Sequence, residues 1–211
     1  MGECCQPCFI HVSEQNETPR TLEEPDSRRH KLMDAAITVF LRYGFRKTSM
    51  DEVARAAGVS RQGLYLHFAT KEELFRASVQ HLLDGALAEA TAALGDGELP
   101  LERRLTAAFD AWTGRFVGMF GSDAADLAAA TSELLGPMVA EREGMFAEVV
   151  AKAVRTSGLV AAYKPAGLTA RQLADTLYAT ARGLKYSESR AAFVEKMGVA
   201  VRAMCLPLRQ A

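Results

Sequence analysis

Residues 48–71 contain two short helical patterns separated by a single glycine. Ser49 followed by Glu52 forms a capping box, which predicts a helix that begins directly after Ser49. Gly58 ends this helix, because glycine readily adopts the left-handed conformation found just past a helix. Ser60 can then cap a second helix. Two helices joined by so tight a turn are typical of a helix-turn-helix.

The second helix of this pair begins with small, polar and basic residues. Its first turn has no acidic residue, so exposed backbone N–H groups there can attract phosphate. Arg61 and Gln62 can form bidentate hydrogen bonds with guanine and adenine edges, and Gly63 lets the backbone approach DNA closely. Leu64 and Phe68 face inward at helical spacing. The pattern therefore predicts a recognition helix that enters a DNA major groove.

Further positions at fixed spacing surround this pair of helices. They are Ala35-Ala36, Phe40, Gly44-Phe45, Thr48-Ser49, Val53-Ala54, Ala57-Gly58-Val59-Ser60, Leu64-Tyr65, His67-Phe68 and Lys71-Glu72-Glu73-Leu74-Phe75. With them, the segment from Arg28 to Phe75 resembles the DNA-binding domain of the tetracycline-repressor (TetR) family of bacterial regulators. The resemblance implies DNA-facing positions at Thr48, Ser60, Arg61, Gln62, Gly63, Tyr65, Leu66, His67 and Lys71. Leu66 departs from the family, in which an aromatic or polar residue is common, and it contacts a thymine methyl or no base.

An ordinary helical hairpin would also carry polar residues outside, and local charge helps to decide between the two. Residues 27–76 hold ten basic and five acidic side chains, so this segment is five charges positive. The whole chain is formally −1, which leaves about six negative charges on the remainder. A cationic segment on an acidic body is expected of a protein that binds phosphates.

Length and composition favour a helical protein. The chain has 211 residues, 49 % of them apolar, enough for one or two domains with a core. No alternating strand pattern with hairpin turns is present. The predicted fold is all-α: an N-terminal three-helix helix-turn-helix DNA-binding domain plus, by the resemblance, a C-terminal helical ligand-binding and dimerisation domain. The expected divisions are a disordered tail (residues 1–26), the DNA-binding domain (27–73) and the helical domain (74–211).

In the tail, the segment from Glu14 to Asp26 is polar and acidic and contains Pro19 and Pro25, hence the expected disorder. Cys4, Cys5 and Cys8 near its start could bind a soft metal ion or sense redox state. The alternative is a flexible tail with incidental cysteines, which we favour because short motifs often match by chance. We therefore predict no metal site and no cofactor. The chain has no apolar run long enough for a bilayer and no signal pattern, so a soluble cytoplasmic protein is expected.

Helical patterns and breakers predict the remaining elements. Helices are expected over Ser27–Tyr43, after a Thr70–Glu73 capping box as far as Gly95, over Leu101–Gly121, Asp123–Leu135 and Met138–Thr156, from a Thr169–Gln172 capping box to Lys185, and over Ser187–Leu206. Gly136-Pro137 is expected to separate two helices, and the segment with Pro165 and Gly167 is expected to be a loop. The helix after Thr70 belongs to both domains and can act as a lever.

The resemblance implies that the body dimerises through its last two long helices. Candidates for this seam are Leu173, Leu177, Thr180, Leu184, Phe193, Val194, Met197 and Val201. The alternative is that these residues fill the core of a single chain.

The resemblance also implies a small-molecule effector bound by the body. Candidate pocket residues are Trp112, Phe116, Met119, Phe120, Met138, Met145, Phe146 and Tyr178. Their composition predicts a hydrophobic or aromatic effector. Aromatic and methionine residues at helical spacing are, however, more often core packing than pocket.

Catalytic patterns are absent from the sequence: it has no Gly-rich phosphate loop, no nucleophile elbow and no paired histidines on a helix. An enzyme is therefore not predicted. The leading hypothesis is a homodimeric transcriptional repressor that binds a palindromic operator in double-stranded DNA and is released by the effector. There are two alternatives. One is a DNA-binding regulator that responds to a protein partner, to thiol chemistry at the cysteine cluster, or to no signal, and the other is a helical enzyme or carrier.

Overall fold

The computed structural model of the protein describes residues 25–119 and 124–209. Within these ranges the chain forms α-helices and short 3₁₀ turns and no β-strand, which confirms the predicted all-α fold. The helices are α1 (Pro25–Tyr43), α2 (Met50–Ala56), α3 (Arg61–Tyr65), α4 (Lys71–Gly95), α5 (Leu101–Trp112), α6 (Ala124–Thr156), α7 (Leu159–Tyr163), α8 (Ala170–Leu184) and α9 (Arg190–Cys205). No helix in the described ranges is long and apolar enough to cross a membrane.

Local capping signals form as the sequence predicts at two helices. The Ser49 hydroxyl accepts a hydrogen bond from the N–H of Glu52 at 3.3 Å, and the Glu52 carboxylate accepts one from the N–H of Ser49 at 2.7 Å. The same reciprocal pair, Thr169 with Gln172, begins α8. Gly58, which follows α2, has a φ of 68°. Residues that carry a Cβ rarely adopt this conformation.

The start of α4 differs from the predicted capping box. Thr70 Oγ1 accepts a hydrogen bond from the N–H of Glu73 at 3.0 Å, as expected. The Glu73 carboxylate, however, accepts from the N–H of Ala69 at 2.8 Å, one residue before the cap. The box at this helix is therefore only half formed, and the carboxylate stabilises the turn that leads out of α3.

Two helix starts lie away from their predicted positions. α1 begins at Pro25 rather than at a Ser27 cap, and proline at the first helical position costs no backbone hydrogen bond. α9 is capped by Ser189, which accepts from the N–H of Ala192 at 3.1 Å, rather than beginning at Ser187.

The buried side chains form two clusters. The head core joins α1, α2, α3, the first turns of α4 and the first half of α6; it includes Leu32, Ala36, Phe40, Leu64, Phe68, Phe75, Leu127 and Leu135. The body core joins the rest of α4 and α6 with α5, α7, α8 and α9. Because α4 and α6 contribute to both clusters, no single residue separates head from body, and the domain boundary after residue 73 stays a prediction.

The prediction that Gly136-Pro137 separates two helices is wrong, because α6 runs through both residues. A proline inside a helix removes one backbone hydrogen bond and crowds the preceding turn. Packing against α4 offsets this cost. Arg76 of α4 donates a hydrogen bond to the carbonyl of Leu134 at 2.9 Å, and Leu135 is fully buried in the head core.

The predicted helix over Leu101–Gly121 instead ends as α5 at Trp112. Two elements approach each other closely at this point. Gly114 lies so near α9 that a Cβ at this position would be 2.7 Å from the Phe193 ring. The chain leaves the α-helix there and makes a 3₁₀ turn over Gly114–Phe116.

The segment predicted as a loop after Gly158 contains a short helix, α7, and a 3₁₀ turn over Lys164–Ala166. Tertiary contacts order it. Leu159 is fully buried in the body core, and the Tyr163 hydroxyl donates a hydrogen bond to the carbonyl of Met204 at 2.8 Å. The segment thus forms a helix because Leu159 and Tyr163 are held against the body core, although its alanines are exposed.

Most candidates for the dimer seam lie in the body core of the single chain. Leu173, Leu177, Phe193, Met197 and Val201 are all 4 % exposed or less. For these five residues the alternative interpretation, packing within one chain, is correct. Any seam on α8 and α9 must therefore use the opposite faces of the two helices.

Ser78 of α4 provides a stability test. Its hydroxyl is fully buried and, in the described part of the chain, has no hydrogen-bond partner. An unsatisfied buried hydroxyl costs about 1–3 kcal/mol, so Ser78→Ala should raise the free energy of unfolding by about 1 kcal/mol. Urea unfolding followed by circular dichroism measures the change.

The matched control is Thr48, whose buried hydroxyl does donate to the carbonyl of Gly44 at 2.6 Å. Thr48→Val keeps the shape and removes the bond, so it should destabilise the protein by roughly 1–2 kcal/mol. Equal effects of the two substitutions would contradict the hydrogen-bond assignment.

Candidate nucleic-acid interface

The recognition helix α3 is built around its N-cap. Ser60 has extended backbone, and its Oγ accepts a hydrogen bond from the N–H of Gly63 at 3.0 Å. A Cβ on residue 63 would lie 3.2 Å from that oxygen, so glycine leaves room for the cap as well as for close approach of DNA. The first turn has no acidic residue. No side chain of that turn therefore opposes an incoming phosphate.

The inward side of α3 is anchored as the sequence predicts. Leu64 and Phe68 are fully buried in the head core, and Val59 packs against the same cluster from the turn. Arg29 of α1 covers Phe68, with its guanidinium carbon 4.6 Å from the ring centroid. These contacts hold a helix of only five residues at a defined angle to its support.

The outward side of α3 and the next turn presents the predicted readers. Arg61, Gln62, Tyr65 and Leu66 are exposed and His67 is half-buried. Leu66 is 81 % exposed and so contributes little to packing. Seven of the nine predicted DNA-facing residues, Ser60 to Gly63 and Tyr65 to His67, thus lie on one short exposed segment.

The Arg61 guanidinium is held by two neighbours. Its Nη1 donates a hydrogen bond to Oδ2 of Asp51 on α2 at 2.9 Å. Its central carbon lies 5.5 Å from the centroid of the Tyr65 ring. Hydrogen bonding with Tyr65 and the charge of Asp51 raise the pKa of Arg61. Sequence reasoning missed Asp51, because only the fold of the turn brings together residues ten positions apart.

The other two predicted residues, Thr48 and Lys71, are partly engaged inside the head. Thr48 is 3 % exposed, and its hydroxyl donates a hydrogen bond to the carbonyl of Gly44. The Lys71 ammonium donates to the carbonyls of Phe45 and Thr48 at 3.0 and 3.2 Å and lies 4.4 Å from the centroid of the Phe45 ring. Both residues therefore brace the segment between α1 and α2. Their contact with DNA stays a prediction.

A shallow hollow of about 240 Å³ lies beside α3. Its lining combines the N-terminal end of α1 with the turn and the recognition helix: Arg28, Leu32, Gly58, Val59, Ser60, Gly63, Leu66 and His67. Arg28 thus stands next to the predicted readers rather than at a distant helix end, which favours a place for it in the interface.

Comparison with known proteins agrees with this geometry. Residues 32–78 match the family model described as bacterial regulatory proteins, tetR family. Residues 32–78 therefore form a DNA-binding domain of the TetR type. The matched range begins in α1 and ends in α4, so it contains every predicted DNA-facing residue.

Curated relatives match about a third of this chain. The uncharacterized HTH-type transcriptional regulator YfiR of Bacillus subtilis is 43 % identical over 67 residues, 32 % of this chain and 33 % of YfiR. The HTH-type transcriptional activator FasR of Mycolicibacterium smegmatis is 40 % identical over 79 residues, 37 % of this chain and 34 % of FasR. The chain therefore matches about a third of the length of these relatives. TetR-family homologues are transcriptional regulators and not enzymes.

A solved structure extends the likeness beyond the helix-turn-helix. The fatty acid degradation regulator FadR from Bacillus halodurans superposes with a TM-score of 0.60, at 16 % identity, over 81 % of this chain and 96 % of that chain. At such low identity the likeness shows the fold alone. That fold is an N-terminal helix-turn-helix domain followed by a helical C-terminal domain.

In the body, three of the eight candidate effector residues form one aromatic cluster. Trp112 of α5 stacks on Phe146 of α6 with ring centroids 4.7 Å apart and an interplanar angle of 8°. Tyr178 of α8 lies 6.1 Å from the Phe146 ring. Burial, with the nearby carboxylate of Glu143, raises the pKa of Tyr178. The rings fill their own space, so the cluster is packed in this conformation.

The other five candidates are dispersed. Met138 packs against the head core, Phe116 is half-buried, and Met119 and Met145 are 46 % and 47 % exposed. Phe120 lies outside the described residues, as do Cys4, Cys5 and Cys8. Among the residues that are described, no group of three His, Cys, Asp or Glu side chains could hold a metal ion.

Sequence reasoning also missed a hollow of about 710 Å³ between α5 and α9. It is lined by Leu99, Pro100, Glu102, Arg103, Thr106, Ala107, Asp110, Val194, Glu195, Gly198 and Arg202. The hollow depends on how two helices far apart in the sequence pack against each other. No local motif could have indicated it.

Proposed function

We propose that this TetR-family chain is a homodimeric repressor that binds a near-palindromic operator and is released by a small-molecule effector. The observation that carries the proposal is the exposed reading segment from Ser60 to His67, anchored on a cationic head. Repression needs only that a bound dimer covers DNA that the transcription machinery requires. Activation would need an additional contact surface.

In this proposal α3 lies in the major groove and its residues divide into two groups. Arg61 and Gln62 contact base edges, and the exposed Leu66 contacts a thymine methyl. Tyr65, His67 and the amides at the start of α3 bind phosphate oxygens. Thr48 and Lys71 support the same surface from behind, and Lys71 adds its charge. The excess of five positive charges over residues 27–76 supplies the salt-dependent part of the affinity.

Arg61→Ala tests the assignment of the base reader. Loss of a bidentate contact should cost about 1–3 kcal/mol and should relax base preference at one position in each half-site. Selection of bound DNA from a random duplex pool, followed by titration of the selected duplex, measures both effects. A palindromic consensus from the native protein would also support the dimer, because symmetric subunits read symmetric half-sites.

Arg55→Ala is the matched control, since it removes the same charge from the exposed side of α2. It should weaken binding to all duplexes alike and leave base preference unchanged. An unchanged preference in Arg61→Ala would remove Arg61 from the reading surface. In cells, Arg61→Ala should raise transcription from an operator-controlled reporter, whereas a fall would indicate an activator, which is what FasR is named.

The dimer is proposed to form through the faces of α8 and α9 that point away from the body core. On α8 this face carries the small residues Thr176, Ala179 and Gly183, and on α9 it carries Val199 and Ala203, all exposed. Val199 is 54 % exposed in the single chain. Such exposure of an apolar side chain is expected if a helix of a second chain covers it in the dimer. Small residues let helices approach closely, and the even spacing suits a four-helix seam.

Val199→Glu should disrupt this seam, because it would bury an unpaired carboxylate between two chains. Sedimentation velocity should show dimers for the native chain and monomers for the variant. Affinity for a duplex with two half-sites should fall more than tenfold, since the second reader is no longer tethered. Met145→Glu introduces the same charge at a similarly exposed apolar residue on α6 and should leave the dimer intact.

The effector is proposed to enter the body at the aromatic cluster of Trp112, Phe146 and Tyr178. Support comes from α6, which carries Phe146 at one end and contacts the head at the other. Near its start, Asp126 accepts a hydrogen bond from the N–H of Arg46 at 2.8 Å and pairs with the Arg46 guanidinium. A molecule that separates the stacked rings would shift α6 relative to α5, and a shift of α6 would reach the segment between α1 and α2.

The chain has one tryptophan, so Trp112 can report on effector binding directly. The hydrophobic aromatic dye 1-anilinonaphthalene-8-sulfonate should quench Trp112 emission by energy transfer and lower the affinity for operator DNA over the same concentration range. Tyr178→Phe keeps the packing and should shift both curves together. Dye binding that changes Trp112 emission without weakening DNA binding would separate the cluster from regulation.

A further inference from the structure

An acidic side chain on the reading surface needs an explanation, because a carboxylate beside phosphate costs affinity. Glu52 and Glu73 have such an explanation, since both accept backbone hydrogen bonds at helix starts. Asp34 pairs with His81 on α4. Asp51 differs from these residues, because its partner is Arg61, the predicted base reader. It projects from the first turn of α2, and half of its side chain is exposed.

The pair restrains the arginine that is assigned to read a base. Asp51 engages Arg61 Nη1 at 2.9 Å, and the Tyr65 ring supports the guanidinium carbon at 5.5 Å. A guanidinium has five N–H donors in a planar fork, so one bond at Nη1 leaves donors for the paired acceptors of a guanine edge. A restrained side chain loses less conformational entropy on binding than a free one.

The same carboxylate also disfavours phosphate binding by Arg61, which competes with base reading. An unrestrained arginine near DNA binds phosphates of any sequence, which adds affinity and no discrimination. A carboxylate 2.9 Å from the guanidinium repels a phosphate that approaches this arginine. A guanine edge carries no net charge, so it suffers far less from that repulsion.

We propose that Asp51 is a specificity-determining residue that acts through Arg61: it orients the guanidinium toward a base edge and disfavours phosphate binding by the same group. The proposal rests on the proposed function, because it requires that Arg61 reads DNA. Asp51 itself is a positioning residue and touches no base. A purely structural role, stabilising the N-terminal end of α2 through the helix dipole, would leave base preference unaffected.

The test compares base preference at each position for full-length native protein, Asp51→Ala, Arg61→Ala and the double variant, by selection from a random duplex pool. Asp51→Ala should reduce the preference at the position read by Arg61 about five- to tenfold and leave other positions unchanged. Its affinity for unselected duplex should rise several-fold. In the Arg61→Ala background, Asp51→Ala should change no position.

Two further variants separate charge from geometry. Glu72→Gln removes one exposed carboxylate from the same head and should alter overall affinity without altering base preference. Asp51→Asn keeps a polar side chain of the same size at the start of α2 and should lose part of the base preference at the position read by Arg61. This variant tests the proposal even if Asp51→Ala folds poorly.

The outcomes distinguish the two proposals. A native protein that selects no sequence would overturn the proposed function. Relaxed preference in Arg61→Ala but not in Asp51→Ala or Asp51→Asn would overturn the role of Asp51 alone. An effect of Asp51→Ala that persists without Arg61 would show that Asp51 acts by another route, and would overturn the proposal equally.

Discussion

A five-residue helix has almost no stability of its own in water, because nucleating a helix costs more than one turn of hydrogen bonds returns. The position of α3 therefore depends on burial of Leu64 and Phe68 in the head core. Each fully buried side chain contributes roughly 1.5–3 kcal/mol. That contribution must offset the entropy of ordering the turn, the cap at Ser60 and the exposed readers. The reading surface is consequently only as rigid as the contacts of α1 and α4 behind it.

Those supporting contacts also belong to the body. α4 and α6 each place one part in the head core and another in the body core, and polar contacts between them reinforce the packing. Arg142 of α6 pairs with Asp84 of α4 at 3.0 Å, and Arg76 of α4 bonds to the α6 backbone at Leu134. Packed helices shift between discrete arrangements rather than deforming continuously. A change of packing in the body therefore moves the elements on which α3 depends.

The head could be predicted in detail from the sequence, because its structure is specified by local chemistry. The capping box at Ser49, the left-handed Gly58 and the cap at Ser60 each need only neighbours within three or four residues. The inward Leu64 and Phe68 follow from helical spacing. What the sequence could not indicate in the head is contact between elements. The pairing of Arg61 with Asp51 and the inward bonds of Lys71 depend on the angle between helices.

The body was less predictable for the same physical reason. Gly136-Pro137 has the local signature of a helix end, yet packing against α4 carries α6 through it. Leu173 and Phe193 have the spacing of a dimer seam, but an apolar stripe has the same appearance whether its partner lies in the same chain or in another. Only the assembled fold decides whether an apolar face of a helix packs against its own chain or against a second one.

Affinity and discrimination make opposite demands on a surface such as the one around α3. Positive charge raises affinity for every duplex, so a head made only of cations would be held on DNA of any sequence. Discrimination between sequences requires that the base-reading side chains do not bind phosphates instead of bases. An acidic neighbour disfavours phosphate binding, although it lowers the total affinity for DNA. The placement of Asp51 against Arg61, in a segment where basic residues outnumber acidic ones two to one, is consistent with this balance. The remaining cations supply the affinity that the carboxylate removes, and the one arginine that it restrains is left with a base edge as its most favourable partner.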